Sequence, residues 1–100
     1  MKDFEGKTVV VTGAASGIGK ALSLAFAARG ANVVLADVEA NALQSVRSEV
    51  EAAGAQAVSL TTDVTDEGQL EALADVAWER FGAVHVVLSL IHISEPTRPY

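Results

Sequence analysis

The sequence predicts an α/β fold: a doubly wound parallel sheet of strand order 3-2-1-4, readable as far as its fourth strand. Three observations predict it. Short β-branched runs alternate with segments whose apolar residues recur at helical spacing. A glycine closes each helical segment, at Gly30, Gly54 and Gly82. The first strand runs straight into a glycine-rich turn that opens a helix. A βαβαβαβ order implies parallel strands with right-handed crossovers, which place the first two helices on one face and the third on the other.

The first strand is "KTVVVT", Lys7 to Thr12, apolar throughout its centre as a strand buried on both faces should be. Ile18, Leu22, Ala25, Phe26 and Arg29 follow at helical spacing and predict the inner stripe of the first helix. "ANVVLA", Ala31 to Ala36, is the second strand and ends at Asp37. Leu43, Val46, Val50 and Ala53 predict the inner face of the second helix. "QAVSL", Gln56 to Leu60, is the third strand. A third helix is expected from Thr65 or Asp66, with Gln69 completing a capping box on Asp66. Its stripe is Leu70, Leu73, Ala77 and Phe81, and Trp78 is read as a packing residue. "AVHVVL", Ala83 to Leu88, is the fourth strand; His85 within it reads as a satisfied strand histidine rather than a ligand.

One hundred residues suit a single small domain, and 50% hydrophobic content is high for that size, as in a piece of something larger. A net charge of -6 with no basic cluster argues against nucleic acid or an anionic membrane as partner. No apolar run reaches the roughly 20 residues of a membrane span, and the start lacks the parts of a signal peptide. The absence of cysteine excludes disulfides and thiolate metal sites, and no metal site is expected. The expected location is the cytoplasm.

The chemistry-bearing stretch is "TGAASGIG", Thr12 to Gly19, between the first strand and the first helix. Gly13 permits a tight exit from the strand, Gly17 a close approach of backbone to ligand, and Gly19 close packing of the helix. Free N–H groups and the positive end of the helix dipole then face the turn, which suits a pyrophosphate. Asp37 lies at the end of the second strand, near the roughly 20-residue offset of an acid that holds an adenosine ribose. Its other reading is a helix cap or turn aspartate. A carboxylate there repels a 2′-phosphate by about 1 kcal/mol in water and about 4 at an effective dielectric near 20. Ala14, Ala15, Ser16 and Val38 are neutral and offer no compensation, so NAD is expected over NADP. A triphosphate-binding P-loop is excluded, because Ala14 and Ala21 stand where it needs Gly and Ser or Thr.

The combination resembles the short-chain dehydrogenase/reductase family over about Phe4 to Leu88. "TGAASGIG" is similar to that family's T-G-x-x-x-G-x-G cofactor turn, and "DV" at Asp63 and Val64 to its position after the third strand. The resemblance implies a Rossmann-type domain with a cofactor site at Gly13, Ser16, Gly17, Ile18, Gly19, Asp37, Asp63 and Val64. It implies that Asp63 addresses the adenine amino group while Val64 packs on the ring; a loop residue capping the next helix is the alternative for Asp63. It further implies an NAD-dependent oxidoreductase acting on a secondary alcohol or ketone, and a homo-oligomer. A dinucleotide-binding regulator without turnover is the alternative.

The ending departs from the family. Where N-N-A-G is expected, the chain reads "SLIHISEPTRPY", with Pro96 and Pro99 unable to donate to a ladder. Leu88 to Arg98 resemble one reading frame of a transposase adaptor used in sequencing libraries. Residues 1–88 are therefore expected to be a partial dinucleotide-binding domain, and 89–100 a foreign tail, with the junction at 87 or 88; a natural edge strand plus turn is the alternative for the ending. The family's Ser, Asn and Tyr-x-x-x-Lys belong to later segments, so no catalytic residue is assigned here, and the 100-residue chain is expected to be inactive.

Overall fold

The computed structural model describes residues 3–89. Four strands, β1 (Thr8–Thr12), β2 (Asn32–Asp37), β3 (Ala57–Thr61) and β4 (Val86–Ser89), alternate with helices α1 (Gly17–Ala28), α2 (Ala40–Ala52) and α3 (Glu67–Phe81). The sheet order is β3-β2-β1-β4 and every pairing is parallel, as expected. Strand limits differ from the sequence reading by one residue at β1, β2 and β3, and β4 spans Val86–Ser89 rather than Ala83 to Leu88. Ser89 closes β4 opposite Thr12; residues 90–100, which hold most of the expected tail, lie outside the described residues.

Alternation along the strands sends successive side chains to opposite faces. Val9, Val11, Val33 and Leu35 pack with Ala27 of α1 and with Leu43, Val46 and Val50 of α2. Val10, Val34, Ala36 and Val58 pack with Leu73 and Ala77 of α3. The two-helices-against-one distribution is thus the expected one.

The expected inner stripe of α1 is wrong by rotation. The buried positions are Gly19, Ser23 and Ala27, while Ile18 is 54% exposed and Ala25 and Arg29 face outward. Small residues let this helix lie close to the sheet, and the buried Ser23 hydroxyl is satisfied by donating to the Gly19 carbonyl at 2.8 Å. Of the expected stripe, Phe26 does pack against the core, half-buried, with its ring edge-on to Phe4 and ring centroids 4.9 Å apart. In α2 the stripe holds at Leu43, Val46 and Val50, but Ala53 is the exposed C-cap.

In α3, Leu73 and Ala77 are buried, Phe81 is half-buried and Leu70 is 38% exposed. Trp78, expected to pack, is 57% exposed. Asp66 caps α3 by accepting the Gln69 N–H at 3.2 Å, but the reciprocal half of the box is missing. The Gln69 side-chain Oε1 accepts from the Asp63 N–H at 2.8 Å, while the Asp66 N–H donates to the Asp63 backbone carbonyl. Gln69 therefore ties the loop before the helix through Asp63, while its Nε2 donates to the Asp66 carboxylate at 3.4 Å.

Candidate functional site

The expected site residues gather at one edge of the sheet. The register Thr12↔Ala36 and Asp37↔Thr61 brings the carboxyl ends of β1, β2 and β3 level. At β1 the chain order reverses, β2 lying on one side and β4 on the other. In open α/β sheets the crevice outside such a switch point is where ligands bind.

The turn after β1 is held mostly by its own backbone and by Ser16. Gly13 has φ 72°, in the left-handed region that favours glycine. The Ala14 N–H donates to the Ala36 carbonyl at 3.0 Å, so the turn stays attached to β2. Ser16 is the N-cap of α1: its Oγ accepts from the Gly19 N–H at 3.0 Å and donates to the Gly13 carbonyl at 2.8 Å. Among the described residues the N–H groups of Gly17 and Ile18 carry no protein acceptor. They and the helix dipole form an anion-favouring end, with no acidic residue in the first turn of α1 to neutralise it.

The two glycines of the helix start differ in what they serve. A side chain on Gly19 would collide with the Gly13 carbonyl and meet the Ala14 Cα at 2.9 Å. Its contact is therefore with its own turn, where packing against the sheet was expected. At Gly17 a Cβ would meet nothing within 4 Å, and the backbone lies outside the left-handed region. No contact inside the described protein requires a glycine there. The space beside it can be taken by a ligand, which is the fit expected of a dinucleotide turn.

Asp37, half-buried, forms a turn and does not cap α2. Its Oδ1 accepts from the N–H groups of Val38 at 2.7 Å and Glu39 at 3.3 Å, forming a turn. The N-cap of α2 is Glu39, without a side-chain cap. Asp37 Oδ2 accepts from the Ala15 N–H at 2.9 Å, reaching the glycine turn itself. That bond was not foreseen.

Asp63 lies in the loop after β3, which the Thr62 N–H ties to the Asp37 carbonyl at 2.9 Å. The exposed Asp63 carboxylate accepts from the Thr65 hydroxyl at 2.6 Å and the Thr65 N–H at 2.9 Å. These two bonds, the hydroxyl first, hold its pKa below the ordinary 3.8. It does not cap α3, since Asp66 does. Val64 beside it is half-buried.

His85 stands apart at the other end of β1, immediately before β4. Its Nδ1 accepts the Thr8 N–H at 3.0 Å and its own N–H donates to the Thr8 carbonyl at 2.9 Å. The histidine is thus satisfied by the sheet. Among the described residues no group of three or more His, Cys, Asp or Glu could hold a metal, and no helix is long and apolar enough to cross a membrane.

Parallel order 3-2-1-4, with a glycine turn leading into a helix at the switch point, defines the Rossmann class of α/β folds. The model of the short chain dehydrogenase family matches residues 7–91, and the chain belongs to that family. It is 51% identical over 81 residues to 1-deoxy-11-beta-hydroxypentalenate dehydrogenase of Streptomyces exfoliatus, covering 81% of this chain and 30% of that protein. It is 40% identical to 7alpha-hydroxysteroid dehydrogenase of Escherichia coli K12, covering 86% of this chain and 34% of that one. A short chain dehydrogenase/reductase from Burkholderia phymatum, solved in complex with NAD, superposes with TM-score 0.82 at 45% identity. That alignment covers 87% of this chain and 31% of the other. The chain therefore spans about a third of the length of these relatives.

Proposed function

We propose that this chain is the cofactor-binding N-terminal part of an NAD-dependent oxidoreductase that interconverts a secondary alcohol and a ketone. The observation that carries the reading is the turn after β1: the Gly17 and Ile18 N–H groups have no protein acceptor among the described residues, and the Ala15 N–H ties the same turn to the Asp37 carboxylate. A pyrophosphate fits there against the helix N-terminus. Gly13, Ser16 and Gly19 shape the turn, and Gly17 and Ile18 offer their N–H groups to the ligand. Asp37 would accept from the adenosine ribose hydroxyls, and Asp63 and Val64 would lie toward the adenine. The nicotinamide supplies the hydride acceptor or donor, while this part of the protein binds and orients the dinucleotide.

A carboxylate facing the ribose 2′ position supports NAD over NADP, since a 2′-phosphate would meet like charge. The test is calorimetric titration of the uninterrupted protein with both dinucleotides, alongside turnover of simple secondary alcohols. Binding is expected to be tighter for NAD, and Gly17→Val should abolish most of it by placing a branched side chain in the pyrophosphate's space. A clear preference for NADP would overturn the role given to Asp37. Unchanged NAD affinity in Gly17→Val would overturn the turn assignment. Tight NAD binding without any turnover would make the protein a dinucleotide sensor.

A further inference from the structure

We infer that Asp37 is also a positioning residue of the glycine turn: its carboxylate holds the turn through the Ala15 N–H, independently of any ribose. The inference rests on the dinucleotide reading above and adds to it a second role for the same side chain. The ladder between β1 and β2 ends at Thr12↔Ala36, yet the turn continues to donate toward β2. The Ala14 N–H takes the Ala36 carbonyl. The next donor, the half-buried Ala15 N–H, faces a strand whose next carbonyl is already engaged, because the Asp37 carbonyl accepts from Thr62. The Asp37 side-chain oxygen serves instead, at 2.9 Å.

The carboxylate is itself fixed before a ligand arrives. Val38 and Glu39 donate to Oδ1 while Ala15 donates to Oδ2, so three N–H groups from two segments converge on one charge. Charge-assisted bonds of this kind are shorter and stronger than neutral ones. Each carboxylate oxygen has two acceptor directions, so Oδ2 can hold Ala15 and still accept from a hydroxyl. Removing the carboxylate would then free the turn as well as the ribose. Affinity would fall for a dinucleotide that has no ribose hydroxyls to lose.

The experiment uses the uninterrupted protein, with Asp37→Ala and Asp37→Asn, and an NAD analogue whose adenosine ribose lacks both hydroxyls. Amide hydrogen exchange at Ala15 is measured without dinucleotide, and affinity for the analogue by calorimetry. Asp37→Ala is expected to speed exchange at Ala15 about tenfold and to weaken the analogue about tenfold, the scale of one charge-assisted bond. Asp37→Asn keeps one acceptor oxygen and should fall between wild type and alanine in both readings. Unchanged exchange at Ala15, or an analogue bound by Asp37→Ala as tightly as by wild type, overturns this inference alone. A wild type that binds no dinucleotide overturns the site reading, and this inference with it.

Discussion

Toward α1 and α2, β1 presents Val9 and Val11, both fully buried, whereas toward α3 it presents Thr8, Val10 and Thr12. The first face is closed by two helices and an apolar cluster that runs from β1 across β2 to Ala57 of β3. On the second, α3 covers the middle of the sheet through Leu73 and Ala77. Beside it an apolar groove of about 150 Å³ stays open between α3 and β4, lined by Val10, Leu70, Val84 and Val87 among others. Val87 is 61% exposed. Strands that are apolar on both sides need cover on both sides, and within the described residues the α1–α2 face receives more of it, with Val86 and Leu88 of β4 partly buried there while Val87 on the other face is exposed. Stability in this chain therefore resides on the α1–α2 face, and its tendency to associate resides on the other.

The largest expected effect concerns the 100-residue chain produced alone. The open groove and the edge of β4 that is unpaired among the described residues should drive self-association, so it should sediment as assemblies rather than at 10.3 kDa. Val87→Lys should shift it toward the monomer. A soluble wild-type monomer with one cooperative thermal transition would break the contrast between the faces. Next in size is the cost of core truncation, read by urea unfolding of a chain of the relatives' full length. Leu43→Ala, at a position 1% exposed on the closed face, should lose about 3 kcal/mol. Leu70→Ala, 38% exposed in this chain, should lose less than about 1 kcal/mol unless a later segment covers it. A large loss at Leu70 would thus reveal that the groove is filled in the longer protein.

A smaller effect has the opposite sign. Thr8 is fully buried, and among the described residues its hydroxyl has no hydrogen-bond partner. Thr8→Val keeps the shape and removes the orphan group, which should raise stability by about 1 kcal/mol. A loss on that substitution would show that the hydroxyl is bonded in solution.

The smallest effect is at the entrance to α3. Asp63 titrates below 3.8 because Thr65 binds its ionised form. A depressed folded-state pKa contributes stability above the ordinary value, and that contribution fades as pH falls below 3.8 through the lower one. Thr65→Val should move the Asp63 midpoint upward in an NMR titration. An unchanged midpoint would mean that the hydroxyl bond is not formed.

The same contrast shows what could be read in advance. Strand order was legible because alternation and handedness leave few choices, and the face of α2 because Leu43, Val46 and Val50 are large and apolar. The face of α1 was misread because the helical spacing through Ile18, Leu22, Ala25 and Arg29 was followed. Close approach to the sheet selects Gly19, Ser23 and Ala27 instead. Gln69 was legible as a tether but not its target, since Asp63 and Asp66 lie within reach of the same amide. The place of Asp37 at the strand end followed from spacing. Its bond to Ala15, 22 residues away, depends on how the turn folds back, which spacing does not encode.

Gly17 occupies the first position of α1 with an ordinary backbone conformation and vacant space where a side chain would stand. An alanine at such a position restricts the unfolded chain and suits the helix, and should raise stability by about 0.5–1 kcal/mol. A variant library ranked only by heat tolerance would therefore enrich substitutions at 17, and under the proposed reading each survivor would be worse at holding its cofactor. Directed evolution of this protein toward robustness would have to score ligand retention in every round, or freeze that one codon.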